Sequence, residues 1–225
     1  MSPESTSNTY DSLRDRLISS EFEPGQRLRS DVLRDDYGVS ASNIRELLFR
    51  LSTVGLVEFL EQRGFRMPIQ SAEVLDDLAR TRILLECEGA CLSIRYGSVA
   101  WEARLIAAHH ELKHIETHIG SMQNIIKRSD TGFDELYGLW AKAELNFHRT
   151  LIERSQSNIL KEYHLQVYYR FRQQLISTDR DFVYIPTNVD QHQGILEAVL
   201  ERDEVMVKRC IHDHLARHLT VSSMD

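Results

Sequence analysis

Glu144, His148, His192 and His214 are the side chains of this 225-residue chain with the most chemistry to offer. Each falls on a segment with helical hydrophobic periodicity, within or beside the apolar stripe. Around 139–153 the apolar positions are Leu139, Trp140, Ala143, Phe147, Leu151 and Ile152. Glu144 and His148 stand one turn apart, one step round from Ala143 and Phe147, so they lie together at the edge of that stripe. Near the C-terminus Val207, Cys210, Ile211, Leu215 and Leu219 mark a core face with His214 inside it, and His192 precedes Ile195, Leu196 and Val199. Polar groups turned toward an interior cost free energy unless something binds them. One divalent cation could take all four, and these nitrogen and oxygen donors suit Zn²⁺, Ni²⁺ or Mn²⁺ without choosing among them. The same four could instead be separate core residues, each satisfied by its own hydrogen bonds. As a metal set they could serve an effector, hold the fold, sense the ion, or activate water in a hydrolase. No separate general base, oxyanion donor or nucleophile accompanies them, so the expectation is a protein that is not an enzyme.

These residues must be positioned by helices. From 72 to 220 no strand alternation appears, and the periodicity predicts helices over about 72–95, 98–127, 131–155, 157–179, 187–201 and 203–220. That is an antiparallel α-helical bundle. Ser71 is placed to cap its first helix. Ser177 to Pro186 is the least helical stretch and reads as a loop over a cavity. Arg82 lies one turn before Glu86, the spacing of an intrahelical ion pair. His109, His110, His114 and His118 recur at about one-turn spacing and read as a polar helix face. Cys87, Cys91 and Cys210 are too few for a disulfide framework.

The first seventy residues read as a different object. A helix over Tyr10–Ser19 is broken by Glu23-Pro24-Gly25. Ser30 is placed to cap a short helix, Asp31 to Tyr37, and Gly38-Val39 makes a tight turn. Ser40 caps a longer helix to about Val54, with Ile44, Leu47, Leu48 and Leu51 at i, i+3, i+4, i+7 and Gly55 as its stop. Two helices joined by a short turn make a helix-turn-helix. Val57, Phe59, Phe65 and Met67 flank Glu61-Gln62-Arg63-Gly64, a two-stranded hairpin that serves as a wing. Residues 1–70 hold nine Arg, no Lys and eleven acids. Every cation there is a guanidinium, suited to bidentate contact with guanine or phosphate. Arg45 sits early in the second helix, where base edges are read. Ser40 and Ser42 stand at its N-terminus for phosphate. Arg34 and Arg50 are candidates for backbone contacts, and Arg63-Gly64 lies at the wing tip.

The whole chain carries a formal −7. That excludes a global attraction to polyanions but not a local DNA-reading face. There is no signal-peptide core and no run of about 18 apolar residues to span a membrane. A cytoplasmic location is expected. The fold class is mainly α: a winged helix-turn-helix over 1–68, a linker over 69–71 and the helical bundle over 72–225.

Residues 9–68 resemble the N-terminal domain of the GntR family of bacterial transcription regulators. The matching pieces are Leu17-Ile18, Pro24-Gly25, Leu28, Leu33, Gly38-Val39-Ser40, Ile44-Arg45-Glu46-Leu47, Leu51, Gly55-Leu56-Val57 and Arg63-Gly64. Ala41 and Asn43 depart from the family's usual Arg and Pro, which bears on operator sequence. Residues 72–220 are similar to the FCD domain that accompanies such heads in the FadR subgroup. Arg82-x-x-Leu85-Glu86, Glu144-x-x-Phe147-His148, Asn158, His192-x-x-Ile195-x-x-Ala198 and Asp203 before His214-Leu215 carry that likeness. The resemblance implies a metal held by an acid and three His, here Glu144, His148, His192 and His214, with Glu where Asp is commoner. It implies that Arg82 holds an effector carboxylate. It further implies a homodimer on double-stranded operator DNA, a repressor whose affinity is set by a small organic acid.

Overall fold

The spacing of Ile44, Leu47, Leu48 and Leu51 becomes the buried face of the second helix of a helix-turn-helix. Ile44, Leu48 and Leu51 are fully buried, and each such side chain stabilises by about 1.5–3 kcal/mol. The computed structural model describes residues 3–19, 21–122, 131–176 and 185–219. It divides into two units, Met1–Val74 with Tyr169–Thr178, and Leu75–Tyr168 with Asp179–Asp225.

The first unit runs α1 (Pro3–Ile18), β1 (Arg27–Leu28), α2 (Ser30–Tyr37), α3 (Ala41–Thr53), β2 (Glu58–Leu60) and β3 (Gly64–Arg66). Helix α1 starts seven residues before the apolar pattern does, because Ser5 to Asn8 carry no hydrophobic signal. The Ser40 hydroxyl accepts from Asn43 N at 3.2 Å and caps α3 as expected. Ser30 does not cap α2: it is the first helical residue, and Arg29 occupies the cap position without a side-chain bond. Gly55, at φ +78, donates to Ser52 O while Leu56 N reaches Leu51 O, so the left-handed turn expected of a terminal glycine ends α3. The wing pairs Phe59 with Phe65. A third strand, absent from the sequence reading, pairs Arg27 with Arg66 and Leu28 with Phe65, giving the order β1-β3-β2. Two residues cannot display an alternation, and their partners lie far along the chain.

Residues 169–176 belong to this unit although the sequence reading places them in the bundle. Gln173 Nε2 donates to Leu56 O at 2.9 Å and Leu17 O at 3.2 Å. Gln174 Oε1 accepts from Ser71 N at 3.1 Å, and the Arg14 guanidinium lies 4.6 Å from the Tyr169 ring centroid.

The second unit is built from α4 (Ala72–Tyr96), α5 (Val99–Met122), α6 (Thr131–Leu151), the first part of α7 (Asn158–Ile176), α8 (Ile185–Leu200) and α9 (Glu204–Ala216). Helix α5 packs on α6 and α8, and α8 on α9. Ser71 and Asp203 accept from backbone N–H groups at the starts of α4 and α9. Gly89 permits a close approach: a Cβ there would stand 2.7 Å from Ile152 Cγ2. Most of the expected loop, 177–184, lies outside the described residues, while Ile185 and Pro186 open α8, where proline suits a first turn. Among the described residues no helix is long and apolar enough to cross a membrane.

Candidate functional site

Three of the four expected metal ligands come together. One ring nitrogen from each of His148 on α6, His192 on α8 and His214 on α9 lies within 4.8 Å of the others, and all three side chains are buried. The rings are oriented from behind. His148 Nδ1 meets Glu86 Oε2 at 2.8 Å, His192 Nδ1 meets Glu116 Oε2 at 3.2 Å, and His214 Nδ1 meets Gln191 Oε1 at 3.1 Å. Each acceptor fixes the tautomer that carries hydrogen on Nδ1 and leaves a lone pair on Nε2. The Nε2 atoms of His148 and His192 are buried and make no hydrogen bond among the described residues. Unpaired buried polar atoms are rare, and these two point to a missing ligand.

Glu144 is beside this triad and not within its mutual 4.8 Å group. Its Oε1 is 3.4 Å from His148 Nε2 and accepts from Arg82 Nη2 at 3.1 Å. Its Oε2 accepts from the Tyr168 hydroxyl on α7. Arg82, only 1% exposed, also donates from Nε to Glu86 Oε1 at 2.5 Å, and its guanidinium stacks 4.9 Å from the Tyr168 ring centroid. The intrahelical pair with Glu86 is therefore present, and the guanidinium is shared between two carboxylates. His164 Nε2 on α7 also meets Glu86 Oε1, at 3.0 Å. Trp140 Nε1 donates to Glu116 Oε1 at 3.2 Å. All six helices of the second unit supply a member of this network.

Electrostatics favour a cation here. Burial, reinforced by neighbouring imidazoles, holds His214 well below the usual histidine range. Burial also lowers His148, against the pull of Glu86. Burial alone would raise the Glu86 carboxyl, but Arg82 and His148 bring it well below the ordinary carboxylate value. Three buried carboxylates, Glu86, Glu116 and Glu144, gather with the Arg82 guanidinium around the histidines. A divalent ion would add positive charge beside them. Donor type, convergence and charge thus all fit a divalent metal.

In the head, Arg45, Ser42 and Ser40 are exposed at the start of α3, with Arg63 exposed on the wing. Arg45 and Arg63 form no ion pair among the described residues. Ser40 accepts the cap bond yet keeps its O–H for a further acceptor. Arg50 sits 4.6 Å from the Tyr10 ring centroid, and Arg34 pairs loosely with Asp35 at 3.2 Å. Gly64 adopts φ +81 with open space around its missing Cβ, so the backbone turn alone demands glycine.

The model for the family "Bacterial regulatory proteins, gntR family" matches residues 5–67, and that for the FCD domain matches residues 77–217. The chain belongs to the gntR family, with an FCD domain. It is 28% identical to the uncharacterised HTH-type transcriptional regulator BphR of Paraburkholderia xenovorans, over 95% of this chain and 83% of that one. It is 27% identical to the HTH-type transcriptional repressor GlaR of Escherichia coli, over 92% and 90%. The fold is that of E. coli McbR/YncC, with TM-score 0.74 at 20% identity over 95% of this chain and 94% of that one. This gntR-family chain is a DNA-binding transcription regulator and not an enzyme.

Sequence reasoning missed Glu116, Gln191, His164 and Tyr168 as partners of the site. Glu116 carried the same signal as the histidines, since it lies between Leu112 and Ile119 on the buried face of α5. Among the other histidines, His110, His114 and His118 are exposed as a polar face should be, but His109 is buried against Phe147, at 5.8 Å between ring centroids. Burial, then His192, lowers its pKa to about 4.

Proposed function

We propose that His148, His192 and His214, with Glu144 beside them, hold a divalent metal (Zn²⁺, Ni²⁺ or Mn²⁺), and that a small organic acid bound at that ion sets the affinity of the head for operator DNA. The observation that carries this is the convergence of three buried imidazoles whose Nδ1 atoms are all held from behind. When bound, the ion would supply a Lewis-acidic anchor for an anionic oxygen. The protein's own groups orient the rings, exclude water and balance charge. Arg82, paired with Glu86 and Glu144 beside the histidines, would meet an effector carboxylate by sharing its guanidinium with these two carboxylates.

On the DNA side, Arg45 reads a base edge in the major groove, and Ser40, Ser42, Arg34 and Arg50 contact phosphates. Arg63 and Gly64 approach the duplex from the wing. One head reads one half-site, so the working form is a homodimer, and by likeness to GlaR it acts as a repressor. The effector acts by favouring one arrangement of the dimer over the other. A gel shift with DNA upstream of the chain's own gene tests this, run with metal-loaded and chelator-treated protein and a panel of organic acids. Release of DNA by an acid only when metal is present supports the reading, and an operator affinity indifferent to both metal and acids refutes it.

A structural ion is the second reading, favoured by the convergence of all six helices on the site. In that case His148→Ala lowers the melting temperature while the response to the acid persists.

A further inference from the structure

We infer that Phe49 of α3 reads the 5-methyl group of a thymine in the operator, with Phe59 of the wing holding its ring in place. This rests on the reading of α3 as the helix that enters the major groove, and it adds an apolar base contact to the polar one assigned to Arg45. A helix brings residues three, four and seven apart onto one side. Phe49 therefore shares a face with Ser42 and Arg45, opposite the buried Ile44, Leu47, Leu48 and Leu51. The other exposed residues of α3, Ser42, Arg45, Glu46, Arg50 and Thr53, are polar, yet Phe49 among them is 51% exposed. Its ring meets that of Phe59, itself 42% exposed, nearly edge-on with centroids 5.9 Å apart. Phe59 in turn leans on the buried Phe65, at 5.1 Å. Contiguous exposed apolar groups rimmed by polar ones suit a binding surface.

The chemistry of the groove selects the target. Every base offers hydrogen-bonding groups in the major groove, and thymine alone adds an apolar one, its 5-methyl. Arg45 and Arg63, which form no ion pair among the described residues, supply positive charge that draws a polyanion to this face. Phe49 stands one turn beyond Arg45, about 6 Å further along the axis at roughly 1.5 Å per residue. At about 3.4 Å per base pair, the thymine it meets is expected within about two base pairs of the base that Arg45 reads. The edge-on contact with Phe59 sets the ring before DNA arrives, so little side-chain freedom is lost on binding.

The test is the affinity of the full-length protein for the duplex upstream of its own gene, with each thymine replaced in turn by deoxyuridine, which lacks only the methyl. One position in each half-site is expected to weaken binding, by about fourfold for the methyl lost. Phe49→Ala is expected to bind the thymine duplex at least that much more weakly and to bind the thymine and deoxyuridine duplexes alike, with an unchanged melting temperature. A Phe49 that only shapes the head would weaken binding to both duplexes and leave the distinction between them intact, and that result overturns the inference. So does a scan in which the unaltered chain is indifferent to every methyl. Should Phe49→Ala fail to fold, Phe49→Gln takes its place, with the same loss of distinction expected and its persistence again decisive against the inference. If the unaltered chain binds neither duplex, the assignment of α3 to the groove falls, and this inference with it.

Discussion

The two ends of this regulator treat charge in opposite ways. In the head, the side chains proposed to contact DNA are exposed, and Arg45 and Arg63 carry no acidic partner among the described residues. Around the histidines of the helical unit, the charged groups are buried and held by one another, as Arg82 is by Glu86 and Glu144. The contrast suits the partners proposed for each. A polyanion approaches a surface, so its contacts can be cations that stay solvated until it arrives. An ion bound in an interior needs its lone pairs organised beforehand, because unpaired buried groups are costly. Substitutions in the head should therefore change binding with little effect on folding, and substitutions around the triad should change both.

The sharpest break is expected from His148→Ala. Removing one imidazole of three should lower metal affinity by more than about a hundredfold, since even outer partners are worth 10–100-fold. Equilibrium dialysis with metal analysis measures this. Next comes Glu116→Ala, which takes the acceptor from both His192 Nδ1 and Trp140 Nε1. A loss of about 10–100-fold in metal affinity is expected, with a lower melting temperature in the same sample. An unchanged affinity would mean that His192 orientation does not depend on its carboxylate.

Arg45→Ala probes the other side of the comparison. It should weaken operator binding by about 1–3 kcal/mol and relax preference at one base position, while the melting temperature stays put. Fluorescence anisotropy on single-base variants of the operator reads this out. The smallest effect belongs to Arg34→Ala: a uniform weakening across sequences, with the slope of log K against log salt reduced by about one. If Arg34→Ala altered sequence preference instead, its assignment to the DNA backbone would be wrong.

The same contrast explains what could be read from the chain alone. The head announces itself locally. The stripe from Ile44 to Leu51, the Ser40 cap and the Gly55 stop all lie within a short window, and each forms as the spacing predicts. The short strand at Arg27–Leu28 escaped because its pairing with Arg66 and Phe65 leaves no local pattern. In the helical unit, the histidines stood out as polar groups on apolar faces. Their supports did not, because a bond such as Glu86 to His148 or Gln191 to His214 joins helices that sequence spacing cannot align. The Glu144 side chain shows the limit most clearly: its helix face predicted proximity to His148, and that holds at 3.4 Å. Which partner its carboxylate chose depended on Arg82 and Tyr168, from two other helices.

One consequence concerns dissection of the molecule. The side-chain amide of Gln173 serves the main-chain oxygens of Leu17 and Leu56, and the Tyr169 ring receives Arg14. A fragment cut after Val74 would lack all three contacts, leaving its first helix and the end of its recognition helix short of donors. Anyone wishing to express the operator-reading part by itself should therefore graft residues 169–176 back onto it, or expect a poorly behaved piece.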